Sequence, residues 1–168
     1  MVILQQATIQ ELTALLDADN LTRLVEFDLP RNEAISPKFL LELAIQQLSR
    51  DPLNQFWWSP RLIIVDQRIV GMSGFKGLPT VNGEVEIGYG VVASEQGRGF
   101  ATEAVKLLLK EAFSVAEIQL IGAHTDPSNR ASQRVLEKNG FSKMGCKVDP
   151  EDGEVWIWQR MRASKNTD

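Results

Sequence analysis

An α+β fold is what the amino-acid sequence predicts, and three features carry the prediction. Capped helical patterns open the chain, β-rich runs with short turns occupy its middle, and helical and strand patterns alternate after the glycines at 97 and 99. The first segment reads as a short strand and then a helix, because Thr8 and Glu11 have capping-box spacing and Leu12, Leu15 and Leu16 share a face. Ser36-Pro37 predicts a second helix with proline at its first position, carrying Phe39, Leu40, Leu43, Ala44 and Leu48 and stopping before Pro52. Residues 61–65, 69–75 and 85–92 then read as strands, the first two joined by a turn at Asp66-Gln67-Arg68. Such closely spaced runs predict an antiparallel meander. Ala101, Ala104, Val105, Leu108 and Ala112 form one helical stripe, and residues 118–123 an apolar strand. Ser128 or Asn129 opens a further helix that Gly140 ends, and residues 155–160 read as the last strand.

With 168 residues, no internal repeat and no long linker, the sequence predicts one domain spanning 1–168. The tail after Met161 is short and polar and is expected to fray. The net charge of −4 argues against a general nucleic-acid binder, while an acidic rim would attract amines. One cysteine, Cys146, excludes a disulfide within the chain, and with one histidine, His124, a Cys- or His-based metal site is not expected. The first residues lack the features of a signal peptide, and no apolar run approaches the ~20 residues of a membrane span, so the expected location is the cytoplasm.

The most informative stretch runs from Val91 and Val92 through Gln96, Gly97, Arg98, Gly99, Phe100, Ala101 and Thr102. A strand ends, a glycine-rich turn follows, and a helix begins. Glycines let the backbone approach a ligand closely, and a helix N-terminus offers unpaired N–H groups and a positive dipole end. Together these make a pyrophosphate site, to which Arg98 adds a cation. A dinucleotide fingerprint starting at Gly97 fails at Thr102, and a P-loop would need Gly-Lys-Ser/Thr. A tight strand-to-helix turn with an incidental arginine is the alternative for the loop taken alone.

The segment Gln96-Gly97-Arg98-Gly99-Phe100-Ala101 resembles the coenzyme-binding signature of the GNAT superfamily of N-acetyltransferases. Glu86-Ile87-Gly88-Tyr89, Asn129-x-x-Ser132 and Gly140-Phe141 resemble its Rim-type subgroup. The resemblance covers about residues 61–160 and implies a mixed, mostly antiparallel central sheet flanked by about four helices. It also implies acetyl-CoA as cosubstrate, no metal, and a coenzyme core at 61–160 with the acceptor side in 1–60. The implied acceptor is a small-molecule amine or a peptide N-terminus. In the family a bulge splays the strand before the loop from its neighbour, and the pantetheine arm enters the gap. This chain departs at Ala93, where the family often has proline, and at Leu136, where many relatives place a tyrosine general acid.

Amide formation from a thioester needs a proton acceptor for the amine, stabilisation of the carbonyl oxygen and a route for the thiolate to leave. Glu86, on the strand that ends at the loop, is the candidate base, and burial beside a ligand cleft would raise its pKa. An exposed structural glutamate is the alternative. The oxyanion donor would be backbone N–H near Val91 or Val92. Asn129 is the candidate for bonding pantetheine amides and Ser132 for protonating the thiolate. The alternative for both is helix capping. His124 reads as packed or hydrogen-bonded and Cys146 as inert. Trp57, Trp58, Trp156 and Trp158 read as core or as a subunit contact in a homodimer, with an acceptor-pocket wall as the lesser alternative. Two other functions compete: a non-catalytic acyl-CoA-binding regulator on the same fold, and an unrelated α+β interaction module with a tryptophan surface patch.

Overall fold

The capping box forms as its spacing predicts. The Glu11 N–H donates to Thr8 Oγ1 at 3.2 Å, and the Thr8 N–H donates to Glu11 Oε2 at 2.7 Å. This starts the first helix of a computed structural model that describes residues 1–16, 27–30 and 33–163. Among those residues the chain runs β1 (Val2–Gln6), α1 (Ile9–Leu16), α2 (Lys38–Arg50), α3 (Gln55–Trp58), β2 (Arg61–Val65), β3 (Arg68–Phe75) and β4 (Glu84–Val91). It continues as α4 (Phe100–Ser114), β5 (Leu120–Thr125), α5 (Arg130–Lys138), β6 (Ser142–Asp149) and β7 (Gly153–Met161). The strands form one sheet in the order β1-β2-β3-β4-β5-β7-β6, in which β4 and β5 are parallel and every other pair is antiparallel.

Helices cover both faces. On one, α4 and α5 bury Val105, Leu108, Leu109 and Leu136 against Val85, Ile87, Ile121, Ala123 and Trp158. On the other, α1 and α2 bury Leu12, Leu41 and Leu48 against Leu62, Ile64, Ile69 and Met72. Strand alternation divides β4 accordingly: Val85 and Ile87 are buried under α4, while Glu86 and Gly88 look the other way.

Several expectations are corrected. Pro37 is the cap residue of α2, with ψ 137°, and the helix begins at Lys38. A proline's fixed φ suits either position, so only the following ψ decides. The buried face of α2 is Leu41 and Leu48, seven residues apart, while Phe39 (63%), Leu40 (43%) and Leu43 (48%) are exposed. Strand β6 is absent from the sequence reading. It is an edge strand, mostly exposed, with a register shift between Lys143 and Gly145 and no apolar alternation to betray it. The tail does not fray at Met161: the Arg162 N–H donates to Gln119 O at 2.8 Å. Its guanidinium donates to the carbonyls of Ile118 at 2.6 Å and Phe113 at 2.9 Å. Residues 164–168 of that tail lie outside the described residues.

The tryptophans pack inward, which removes the surface patch of the interaction-module reading. Trp158 is 3% exposed and donates Nε1–H to Thr125 Oγ1, and Trp57 packs edge-on against Phe56 and Phe75. Trp58 donates to Asp51 Oδ2, and Trp156 packs against the α4–α5 core. Beside them Arg61 is fully buried between the Phe56 and Phe75 rings and bonds Glu111 of α4 at 2.9 Å.

Candidate active site

The site grows from β4. The Lys76 N–H donates to Glu86 O at 2.8 Å and the Val92 N–H to Val70 O at 2.9 Å. Antiparallel pairing alternates, so even-numbered residues of β4 bond β3 and odd-numbered ones turn their main-chain groups toward β5. Pairing with β5 stops at Glu86–Gly122, although β4 runs on to Val91 and β5 to Thr125. Ile87, Tyr89 and Val91 therefore present main-chain groups to a split between two parallel strands.

Two expectations change at this point. Val92 cannot be the oxyanion donor, because its N–H is committed to Val70, and Val91 is left as the amide that faces the split. The strands also separate without a bulge in β4, since its pairings with β3 and β5 are in continuous register.

The loop after β4 is built to stay open. A single 3-10 turn, Ala93–Glu95, replaces the proline kink, and the Gln96 amide donates back to Val91 O at 2.9 Å. Gln96 thus pins the loop to the strand with its side chain. The Glu95 carboxylate, 10% exposed, bonds Arg68 at 3.0 Å and also pairs with Arg98. Two arginines against one carboxylate leave the cluster with a net positive charge, so the Arg98 cation is half-compensated rather than isolated. Gly97 (φ 76°) and Gly99 (φ 83°) are left-handed, and an added Cβ at either would meet no atom within 4 Å. Gly99 caps α4 without a side-chain bond, so the amides of Phe100, Ala101 and Thr102 open the helix toward whatever lies above the loop. An open, left-handed glycine pair at a helix N-terminus, beside an unpaired strand edge, fits a pyrophosphate followed by an extended amide-bearing arm.

Asn129 is the cap of α5: its Oδ1 accepts the Ser132 N–H at 3.0 Å. The capping alternative is realised, and it uses the oxygen of the amide group while its nitrogen faces outward from that bond. The Tyr89 hydroxyl donates to Ser132 O at 3.1 Å and ties β4 to the start of α5. Burial pushes the Tyr89 phenol up to about 12, against the opposing bond to Ser132. Leu136 is fully buried in the core.

Glu86 lies on the other face of the sheet. Its Oε1 accepts from Lys76 Nζ at 2.7 Å and from His124 Nδ1 at 2.9 Å. Burial alone would raise its pKa, but the Lys76 bond and charge, with His124 adding to them, outweigh burial and hold the carboxyl below its ordinary value. The expected rise is therefore reversed. The partnership with His124 was invisible to sequence reading because it needs the β4–β5 register, which sets Glu86 against Gly122 and His124 two residues further on. Among the described residues no helix is long and apolar enough to cross a membrane, and no group of three His, Cys, Asp or Glu side chains is placed to hold a metal ion.

Residues 2–142 match the acetyltransferase (GNAT) domain model, and the chain belongs to that family. The uncharacterized N-acetyltransferase p20 of Bacillus licheniformis is 35% identical over 83 residues, 49% of this chain and 47% of the relative. The probable N-acetyltransferase YjcK of Bacillus subtilis is 34% identical over 105 residues, 61% of this chain and 58% of the relative. The chain spans about half the length of the curated relatives it matches. Among solved structures, the aminoglycoside acetyltransferase AAC(6')-Ib in complex with coenzyme A superposes with TM-score 0.67 at 22% identity, covering 96% of this chain and 95% of the other. The RimL ribosomal L7/L12 acetyltransferase with coenzyme A gives TM-score 0.71 at 19% identity, covering 95% and 93%. These two likenesses establish the fold.

Proposed function

We propose that the protein transfers an acetyl group from acetyl-CoA to a primary amine, on a small molecule or at a peptide N-terminus, within a ternary complex. The observation that carries the proposal is the strand split opening beside the left-handed glycine pair. Gly97, Gly99 and the amides of Phe100, Ala101 and Thr102 would hold the pyrophosphate, with Arg98 above its Glu95 partner. The amides at Tyr89 and Val91 would pair with the pantetheine arm, and Gln96 keeps that edge in place through Val91 O. Asn129 retains an amide nitrogen for the arm while its oxygen caps α5, and Ser132 stands at the same helix start. Bound acetyl-CoA supplies an activated thioester carbonyl and a thiolate leaving group. A thiol with pKa of about 8.5 leaves without a strong acid, which accommodates Leu136 in place of a tyrosine. Proton removal from the amine falls to the Glu86 cluster, on the face of the sheet away from α4. The family membership and the acceptors named for relatives, aminoglycosides and ribosomal protein N-termini, favour an amine acceptor. The cytoplasm, where acetyl-CoA and such acceptors meet, is the location that fits this reading.

The test is an acetyl-transfer screen over amines, polyamines, aminoglycosides and ribosomal peptides, read by release of free thiol. Acceptor-dependent thiol release supports transfer. Coenzyme binding without release to any acceptor would support the non-catalytic regulator instead.

A further inference from the structure

We propose that His124 is the catalytic base of the transfer, and that Glu86 acts through it as a positioning residue. The inference rests on the acetyl-transfer reading and replaces Glu86 as the group that receives the proton.

Geometry carries it. Glu86 ends the paired part of β4, and His124 lies two residues past the last paired position of β5, so the two strands separate between them. The residue of β4 level with His124 is Gly88, whose missing side chain makes room for the Lys76 stem on its way to Glu86, and the imidazole reaches back to Glu86 Oε1 at 2.9 Å. An ionised carboxylate only accepts hydrogen bonds, so Nδ1 carries the ring proton and Nε2 keeps its lone pair. Among the described residues no group bonds Nε2. The imidazole is 20% exposed and the carboxylate 30%, which leaves a route for an amine. The Tyr89 amide stands one residue beyond Gly88, about 3.3 Å of strand rise, facing the same split. A thioester carbonyl held there would lie within reach of an amine bonded to Nε2.

Glu86 is poorly suited to be the base itself. Its Oε1 already accepts two bonds, and both donors favour the ionised form. The same features suit it to hold the ring, select the tautomer and offset the imidazolium charge that develops. In the reaction the nitrogen of a neutral amine forms the C–N bond. Its proton passes to His124 Nε2, the C–S bond breaks, and the electron pair leaves on sulfur. The imidazolium then gives its proton to the thiolate, directly or through water, and the neutral ring is restored.

The charged groups that face His124 are Glu86 from β4, Lys76 from β3 and Asp149 from β6; β7 places uncharged Ile157 opposite it. His124 is the single histidine of the chain, so its imidazole signals in the 15N-labelled protein need no assignment. The expected neutral form has the proton on Nδ1. Glu86→Leu should let that proton spread to Nε2, because the acceptor that selects the tautomer is lost. A parent with its proton on Nε2, or a tautomer that Glu86→Leu leaves unchanged, overturns the proposal without any substitution of His124. In the transfer assay, His124→Asn and His124→Gln should lower kcat by about 10²–10⁴-fold, with acetyl-CoA affinity by calorimetry nearly unchanged. Glu86→Gln, which keeps an acceptor for Nδ1, should retain more of the parent kcat than Glu86→Leu, with acetyl-CoA affinity nearly unchanged in both. Variants that fold, bind acetyl-CoA and turn over at the parent rate reject His124 as base while leaving acetyl transfer intact. A parent that binds no acetyl-CoA, or acetylates nothing, overturns the acetyl-transfer reading and this proposal with it.

Discussion

Gly99 occupies a left-handed conformation with open space where a side chain would stand. A non-glycine residue there meets a strain of about 1–2 kcal/mol and no steric clash within the protein. Gly99→Val should therefore cost little more than that in stability, yet its side chain would fill the space through which a phosphate approaches the backbone. Calorimetric titration should give an acetyl-CoA affinity at least about tenfold weaker, a difference of about 1.4 kcal/mol. Parent-like affinity would mean the loop holds no pyrophosphate. Glu86 makes a second residue-scale prediction. Its pKa is depressed in the fold, so its contribution to stability is present above the unfolded value of about 4.3 and is lost as pH falls through the folded value. Urea unfolding at pH 7 and near pH 3.5 should show the parent losing more stability on acidification than Glu86→Gln does. Equal losses would mean that Lys76 and His124 do not stabilise the carboxylate.

At the start of α5 one residue caps the helix and is proposed to hold the coenzyme as well. Asn129 Oδ1 caps the helix, and in the proposed complex its nitrogen would donate to the pantetheine arm. Two substitutions separate these roles. Asn129→Ala removes both and should lower stability by about 1 kcal/mol. Asn129→Asp keeps a good cap and loses only the amide donor, so it should melt like the parent while binding acetyl-CoA more weakly. If Asn129→Asp binds as tightly as the parent, capping is the whole of its role. The same element explains why a tyrosine at 136 is unavailable: that position faces inward to the core, and Tyr89 instead reaches α5 from β4 to bond Ser132 O.

At the scale of the molecule, among the described residues the parallel strand pair β4–β5 comes apart between the helical layers, and the glycine loop stands at its open end. A ligand that binds only the folded chain there raises its stability by mass action, by about 2.7 kcal/mol at a hundredfold excess over Kd. For a chain of this size about 1 kcal/mol moves Tm by roughly 2–4 °C, so acetyl-CoA should raise Tm by roughly 5–10 °C. Calorimetric scans of a folded sample with and without millimolar acetyl-CoA provide the measurement, and an unmoved Tm would argue against the coenzyme site altogether.

Local chemistry determined much of this protein from sequence alone. Glycine at 97 and 99 is the residue type a left-handed turn favours, Thr8 and Glu11 need only each other to cap α1, and the stripe through Ala104, Val105, Leu108 and Ala112 depends only on helical period. These signals act over a few residues, so most of the elements and the loop that starts α4 were legible. Strand register was not, because it is set by partners distant along the chain. Register commits the Val92 amide to Val70, leaves Val91 facing the split, stops the β4–β5 pairing at Gly122, and sets His124 against Glu86. It also recruits the polar edge strand β6, whose backbone bonds to β7 require no apolar pattern. Leu41, rather than Phe39 or Leu43, faces the core for the same reason: several apolar stripes fit one helix, and the sheet beneath it selects which is buried.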